Sequence, residues 1–127
     1  MTIACLEHAN ITVDNPDELA TLFCKLFDWK IRWSGAAKDD GYTVHVGSDR
    51  RYLALYTHPS VNDTDHNAFR QGTLNHIGLV VNDLENMEGR VLNNGYQPNN
   101  HRDYGPCRSF YFMADDRLEI EIIQYKE

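Results

Sequence analysis

The sequence predicts an α+β fold: paired βαβββ modules forming a cup-shaped, barrel-like mixed sheet with helices outside. Three observations predict it. The stretches LEHANITVDNPDEL (residues 6–19) and LNHIGLVVNDLENM (74–87) share one pattern and carry His8 and His76 at the matching place, 68 residues apart (8 to 76), about half the chain. Each stretch runs from an alternating strand into the start of an amphipathic helix. Three strand-like segments then follow each helix. The expected organisation is one domain, with module one at 1–58, a linker at 59–73 and module two at 74–127.

In module one the first strand pairs with its counterpart position by position: Leu6 with Leu74, His8 with His76, Ile11 with Leu79 and Val13 with Val81. Asp14-Asn15-Pro16 breaks the strand and supplies N-cap oxygens. A helix over 16–27 then buries Leu19, Leu22, Phe23 and Leu26 at helical spacing. WKIRWS, YTVHVG and RYLALYTH are the next strands, and Lys38-Asp39-Asp40-Gly41 reads as a hairpin turn between the first two. PSVNDTDHNAFRQGT, rich in turn formers, is the linker. In module two Asn82-Asp83 caps a helix over 84–94 that uses Leu84, Met87, Val91 and Leu92 before Gly95. Its strands are weak around YQPNNH and clear in RSFYFM and RLEIEIIQY.

Composition narrows the function. A chain of 127 residues with 42% hydrophobic residues can bury a core without staples. A net charge of −7 with no basic run leaves no footprint for nucleic acid or an anionic membrane surface, so a small-molecule substrate is the expected partner. No apolar run approaches the thickness of a bilayer and the first residues lack the pattern of a secretory signal. Three widely spaced cysteines without a CxxC suit a reducing compartment, and the cytoplasm is the expected location. Neither GxGxxG nor a P-loop is present.

Strand parity turns the repeat into chemistry. Ile11 and Val13 share one face of the first strand, and Leu6, His8, Asn10 and Thr12 share the other. In module two Ile77, Leu79 and Val81 form the face a helix can cover, leaving His76 opposite with Leu74 and Gly78. In the last strand Leu118, Ile120 and Ile122 alternate with Glu119 and Glu121. Both histidines and both glutamates therefore lie on non-helix faces. If these faces enclose a cup, the imidazoles and a glutamate are metal ligands.

At these residues the sequence resembles the vicinal oxygen chelate superfamily, which includes glyoxalase I, extradiol dioxygenases, fosfomycin-resistance enzymes and bleomycin-binding proteins. The segment FYFMADDRLEIEII is similar to the family's ending F-Y-F-x-D-P-D-G-x-x-x-E, which places the ligand carboxylate at Glu121, with Glu119 on the same face as the fallback. The resemblance implies a site of His8, His76 and Glu121. The family's fourth ligand position falls on Ala54, which holds no metal and counts against glyoxalase I chemistry. Two histidines and one carboxylate suit a divalent metal, Fe(II) or Mn(II), with open positions for a chelating substrate. The resemblance also implies catalytic roles for Tyr111, which would contact a substrate oxygen, and for an acid-base histidine, His66 or His58. An extradiol-dioxygenase-like enzyme is thus the leading expectation. The alternatives are a metal-free binder of the bleomycin-resistance kind and a glyoxalase-like lyase or isomerase, and a homodimer is expected in each case.

Several residues have plainer readings. His45, His58 and His101 fit ordinary strand or surface positions, Tyr52, Tyr56 and Tyr111 fit wall packing on half-buried sheets, and Trp29 and Trp33 fit packing against a helix or dimer surface.

Overall fold

The computed structural model describes residues 5–59, 71, 73–115 and 118–126. The chain divides into two compact units, Met1–Asp63 and Thr64–Glu127. Both have the βαβββ order, and the α+β fold of paired modules is the one present.

In the first unit, β1 (His8–Thr12) leads to α1 (Pro16–Phe27), then β2 (Lys30–Ala37), β3 (Gly41–Gly47) and β4 (Tyr52–Thr57). Helix α1 starts where Asn15 accepts a hydrogen bond from the Glu18 amide at 3.2 Å and where Pro16 presets the first turn. It ends at Asp28 in the left-handed conformation, φ 57°. Its apolar stripe of Leu19, Ala20, Leu22, Phe23 and Leu26 is buried, and the helix packs on β3 and β4. The sheet order is β1-β4-β3-β2, with β1 parallel to β4 and the other pairs antiparallel. Val44, Val46, Leu53 and Leu55 are buried at alternate positions of β3 and β4. Each fully buried aliphatic or aromatic side chain contributes about 1.5–3 kcal/mol relative to exposure. The connection predicted as a hairpin turn is a 3-10 turn, Lys38–Asp40, with Asp39 and Asp40 at φ 56° and 62°.

The second unit repeats this with β5 (Ile77–Val80), α2 (Leu84–Asn93), β6 (Asn99–Asp103), β7 (Cys107–Asp115) and β8 (Leu118–Tyr125), ordered β5-β8-β7-β6. Asp83 accepts from the Asn86 amide at 3.0 Å, and Gln124 ties the helix to the sheet by accepting from the Leu84 amide at 2.8 Å and donating to the Asn82 carbonyl. Leu84, Met87 and Val91 are buried, as are Phe110, Phe112, Leu118, Ile120 and Ile122.

Three expectations need correction. Each mixed sheet is open, and neither closes into a barrel, because four strands are too few to close on themselves. His76 precedes β5 by one residue instead of lying mid-strand. Leu92 is 50% exposed, because the buried stripe of α2 runs through Val91 and not its neighbour. Trp29 packs as expected against Phe23 and Phe27 of α1, and Trp33 is 51% exposed with its ring against His45. The linker falls almost wholly outside the described residues. Among the described residues no helix is long and apolar enough to cross a membrane.

Candidate functional site

The alternation of β8 positions the second unit's polar cluster. Leu118, Ile120 and Ile122 are 2%, 1% and 0% exposed, so Glu119, Glu121 and Ile123 take the face away from α2. In the register Glu121 stands between Gly78 of β5 and Tyr111 of β7. Gly78 supplies no side chain there; a Cβ would come only to 3.9 Å from Glu121 Oε1, so the glycine leaves the carboxylate uncovered on that side. His76 reaches over from just before β5, with Nε2 at 3.2 Å from Glu121 Oε1. Its ring meets the Tyr111 ring edge-on at 5.5 Å. The Glu121 side chain is 12% exposed and that of His76 33%.

The three groups tune one another. Burial pushes the Tyr111 phenol up to about 12, helped by its hydrogen bond to Glu121 and by that carboxylate's charge. The phenol therefore stays protonated at neutral pH and acts as a donor. His76 Nδ1 lies 2.8 Å from Asn75 Oδ1. In the tautomer where Nδ1–H donates to Asn75, Nε2 turns its lone pair toward a carboxylate oxygen. Two acceptors face each other favourably only with a proton or a metal ion between them.

That spacing is a test of fit for a divalent ion. Cis donors at about 2.1 Å from an octahedral or facial-triad metal stand about 3 Å apart. The observed 3.2 Å agrees. Imidazole nitrogen with carboxylate oxygen is also the donor chemistry that iron and manganese accept. These two residues fit such an ion, although among the described residues no group of three or more His, Cys, Asp or Glu is gathered to hold one.

The first unit carries His8 at the position corresponding to His76. Its Nδ1 donates to Glu7 Oε1 at 2.8 Å and its Nε2 has no hydrogen-bond partner among the described residues, so the residue preceding each histidine steadies the ring by the same atom. Where the second unit has Glu121, the first has Ala54, 2% exposed and paired with Asn10 and His45. In place of carboxylate chemistry this face carries rings. His8 stacks on Tyr52 at 4.9 Å, Tyr52 on His45 at 4.6 Å, and His45 meets Trp33 at 5.3 Å. Burial, and then the charges of His8 and Arg32, hold the His45 imidazole below its ordinary value. At equivalent places on β3 and β7, Thr43 and Ser109 are 4% and 1% exposed, and neither hydroxyl has a partner among the described residues. An unpaired buried hydroxyl costs about 1–3 kcal/mol.

Of the residues singled out from the sequence, His76, Tyr111 and Glu121 are brought together in one unit and His8 lies in the other. His66 lies outside the described residues. His58 is half-buried just after β4, and His101 pairs with Glu88 on α2 at 2.8 Å. Glu119 shares the face of Glu121 but stands opposite Met113, and it is Glu121 that meets His76. Sequence reasoning missed the roles of Glu7 and Asn75, although both precede a repeat-matched histidine. It also missed the row of rings, whose members come from four strands and are aligned only by the register.

Paired βαβββ modules with polar groups on the non-helix faces define a metal- or ligand-binding fold of the vicinal oxygen chelate class. Residues 6–122 match the model of the Glyoxalase/Bleomycin resistance protein/Dioxygenase superfamily, and the chain belongs to that family. No curated protein sequence matches it. Among solved structures it is similar to a glyoxylase/bleomycin resistance protein/dioxygenase domain from Frankia sp. EAN1pec, with TM-score 0.82 and 18% identity over 98% of this chain and 100% of that one. It is also similar to a mutant of the fosfomycin resistance protein FosX from Listeria monocytogenes complexed with Mn(II) and a dihydroxypropylphosphonic acid (TM-score 0.71, 16% identity, 95% and 92% of the two chains). A third is the trypanothione-dependent glyoxalase I of Leishmania major (TM-score 0.77, 16% identity, 96% and 87%). At these identities the likeness is one of fold.

Proposed function

We propose that the chain is a divalent-metal-dependent enzyme that chelates a small oxygenated substrate, with ring cleavage of a catechol-like diol as the leading reaction. His76 and Glu121 are the metal donors in the second unit, and His8 is the third donor by its repeat position. The observation that carries the reading is the 3.2 Å approach of His76 Nε2 to Glu121 Oε1, with the other ring nitrogen occupied by Asn75. The Mn(II) bound to FosX supports a divalent ion; Fe(II) is the choice that suits ring cleavage. When bound, the ion would lower the pKa of a chelating hydroxyl and so favour its anion. Tyr111, kept protonated by its surroundings, donates a hydrogen bond to the substrate oxygen and can return a proton to it. Glu121 accepts the hydrogen bond of that phenol in the resting site.

The test begins with elemental analysis of protein purified without chelator. Anaerobic Fe(II) loading and a catechol panel follow, with oxygen uptake recorded for wild type and Tyr111→Phe. Saturable uptake that falls in the variant supports the reading; tight metal binding without uptake on any catechol removes the ring-cleaving part. Absence of metal binding moves the assignment to a metal-free binding protein, a reading that Ala54 and the row of rings in the first unit favour. A second copy of the chain is the other partner we propose. Val80 on β5, an edge strand of its sheet, is 70% exposed, which supports that expectation.

A further inference from the structure

We infer that the non-helix face of the first unit is a binding floor for a planar aromatic anion, with Trp33 as the stacking surface and Arg32 as the charge partner. Four observations meet there. The register of β2 on β3 slips between Ile31 and Trp33, and this bulge lets consecutive side chains serve one face. Trp33 contacts His45, while the Arg32 guanidinium lies 4.4 Å from the centre of the Tyr52 ring, the next ring in the same row. The indole is folded down along its own strand over Gly35. A Cβ at that glycine would meet Trp33 Cζ2 at 2.8 Å, so the ring lies where only glycine permits it. One side of the indole is thus spent on the backbone, yet the residue remains 51% exposed. Directly opposite Gly35, Thr43 is 4% exposed and its hydroxyl is unpartnered among the described residues, a buried polar atom beside the stacking surface.

Charge decides the class of ligand. The chain's net charge of −7 favours cations at long range, but exposed charges are screened beyond about 8–10 Å at physiological salt. At the floor itself the fixed charges are Glu7, whose carboxylate is already engaged by His8 and Tyr52, and Arg32, which rests on the Tyr52 ring and has no carboxylate within ion-pair distance among the described residues. A guanidinium so placed keeps its donors for a carboxylate or phenolate on the ligand. Neutral His45 and Tyr52 extend the apolar contact. The inference stands apart from the metal proposal, since Trp33, Arg32, His45 and Thr43 are none of its donors and His8 enters only as the ring stacked on the far side of the row.

The experiment is titration of chelator-treated, metal-free protein with benzoate, cyclohexanecarboxylate, benzamide and benzyltrimethylammonium, read by calorimetry and by quenching of tryptophan fluorescence. Trp29 is packed with Phe23 and Phe27, so Trp33 is the accessible reporter. Saturable benzoate binding is expected, with cyclohexanecarboxylate and benzyltrimethylammonium at least about tenfold weaker. Trp33→Ala should weaken benzoate about tenfold or more, and Trp33→Phe, which keeps a ring, by no more than about threefold. Arg32→Gln should erase the preference for benzoate over benzamide. Circular dichroism checks that each variant is folded, and Arg32→Gln and Trp33→Phe keep the test open if Trp33→Ala is not. Any of three results overturns the inference: no saturable benzoate binding, equal binding of the non-planar acid, or a preference for the cation. Because no metal is present, its failure is read separately from failure of the catechol assay.

Discussion

Replacing Tyr111 by Phe isolates the polar cluster of the second unit, because it removes one hydroxyl and keeps the ring that meets His76 edge-on at 5.5 Å. At neutral pH the variant loses a hydrogen bond to the Glu121 carboxylate, whose side chain is only 12% exposed. Bonds to charged groups contribute about 1.5–3 kcal/mol, and partial solvent access to the half-buried phenol lowers the expected loss to about 1–2 kcal/mol, or roughly 2–6 °C in Tm. The pH dependence follows from the raised phenol. In the unfolded chain it ionises near its ordinary value of 10, and in the folded protein at about 12. Its stabilising contribution is therefore complete below pH 10 and is lost as pH rises toward 12, at no more than about 1.4 kcal/mol per pH unit. The stability difference between wild type and Tyr111→Phe should shrink by roughly 1–2 kcal/mol across that window after the same discount for solvent. Urea unfolding curves at pH 8, 9, 10 and 11 for both proteins measure it, and the other tyrosines cancel in the difference. A gap that stays constant from pH 9 to 11 would refute the raised pKa of the buried Tyr111 phenol.

Other perturbations have equally definite outcomes. His76→Ala should lower affinity for Fe(II) or Mn(II) at least about a hundredfold, while far-UV circular dichroism stays unchanged, since the side chain lies on the face away from the core. Asn75→Ala leaves the ligand in place but frees its ring, and metal titration should show a loss of about tenfold. Ser109→Ala removes a buried hydroxyl with no partner among the described residues, so the metal-free protein should be as stable as wild type or about 1 kcal/mol more so; a clear loss of stability in urea would show that the hydroxyl is bonded. Because Ala54 stands where a carboxylate would serve as a base, the metal-loaded protein should isomerise a glutathione hemithioacetal no faster than the buffer does, as followed by thioester absorbance.

How much of this was legible beforehand can be judged residue by residue. The sequence by itself determined the βαβββ order, the helix starts at Asn15 and Asp83, and the faces of β1 and β8, because caps and alternation depend on neighbours a few residues apart. It also determined that His76 and Glu121 would lie on non-helix faces, while the family resemblance supplied the ligand pattern in which Ala54 is the departure. What it left open was distance and register. Sequence parity says which side of a strand a residue takes, but pairing across strands decides which residues become neighbours. Only the tertiary structure put Tyr111 and Gly78 on either side of Glu121 and set Glu119 against Met113. It also turned Arg32 onto the Tyr52 face through a bulge that no local pattern announces. Trp33 shows the same limit: local sequence left it between a helix and a dimer surface, and an edge strand with a glycine two residues on lays it flat and exposed. Local sequence sets the conformation of each strand, whereas contacts between strands far apart in the chain depend on the packing of the whole sheet.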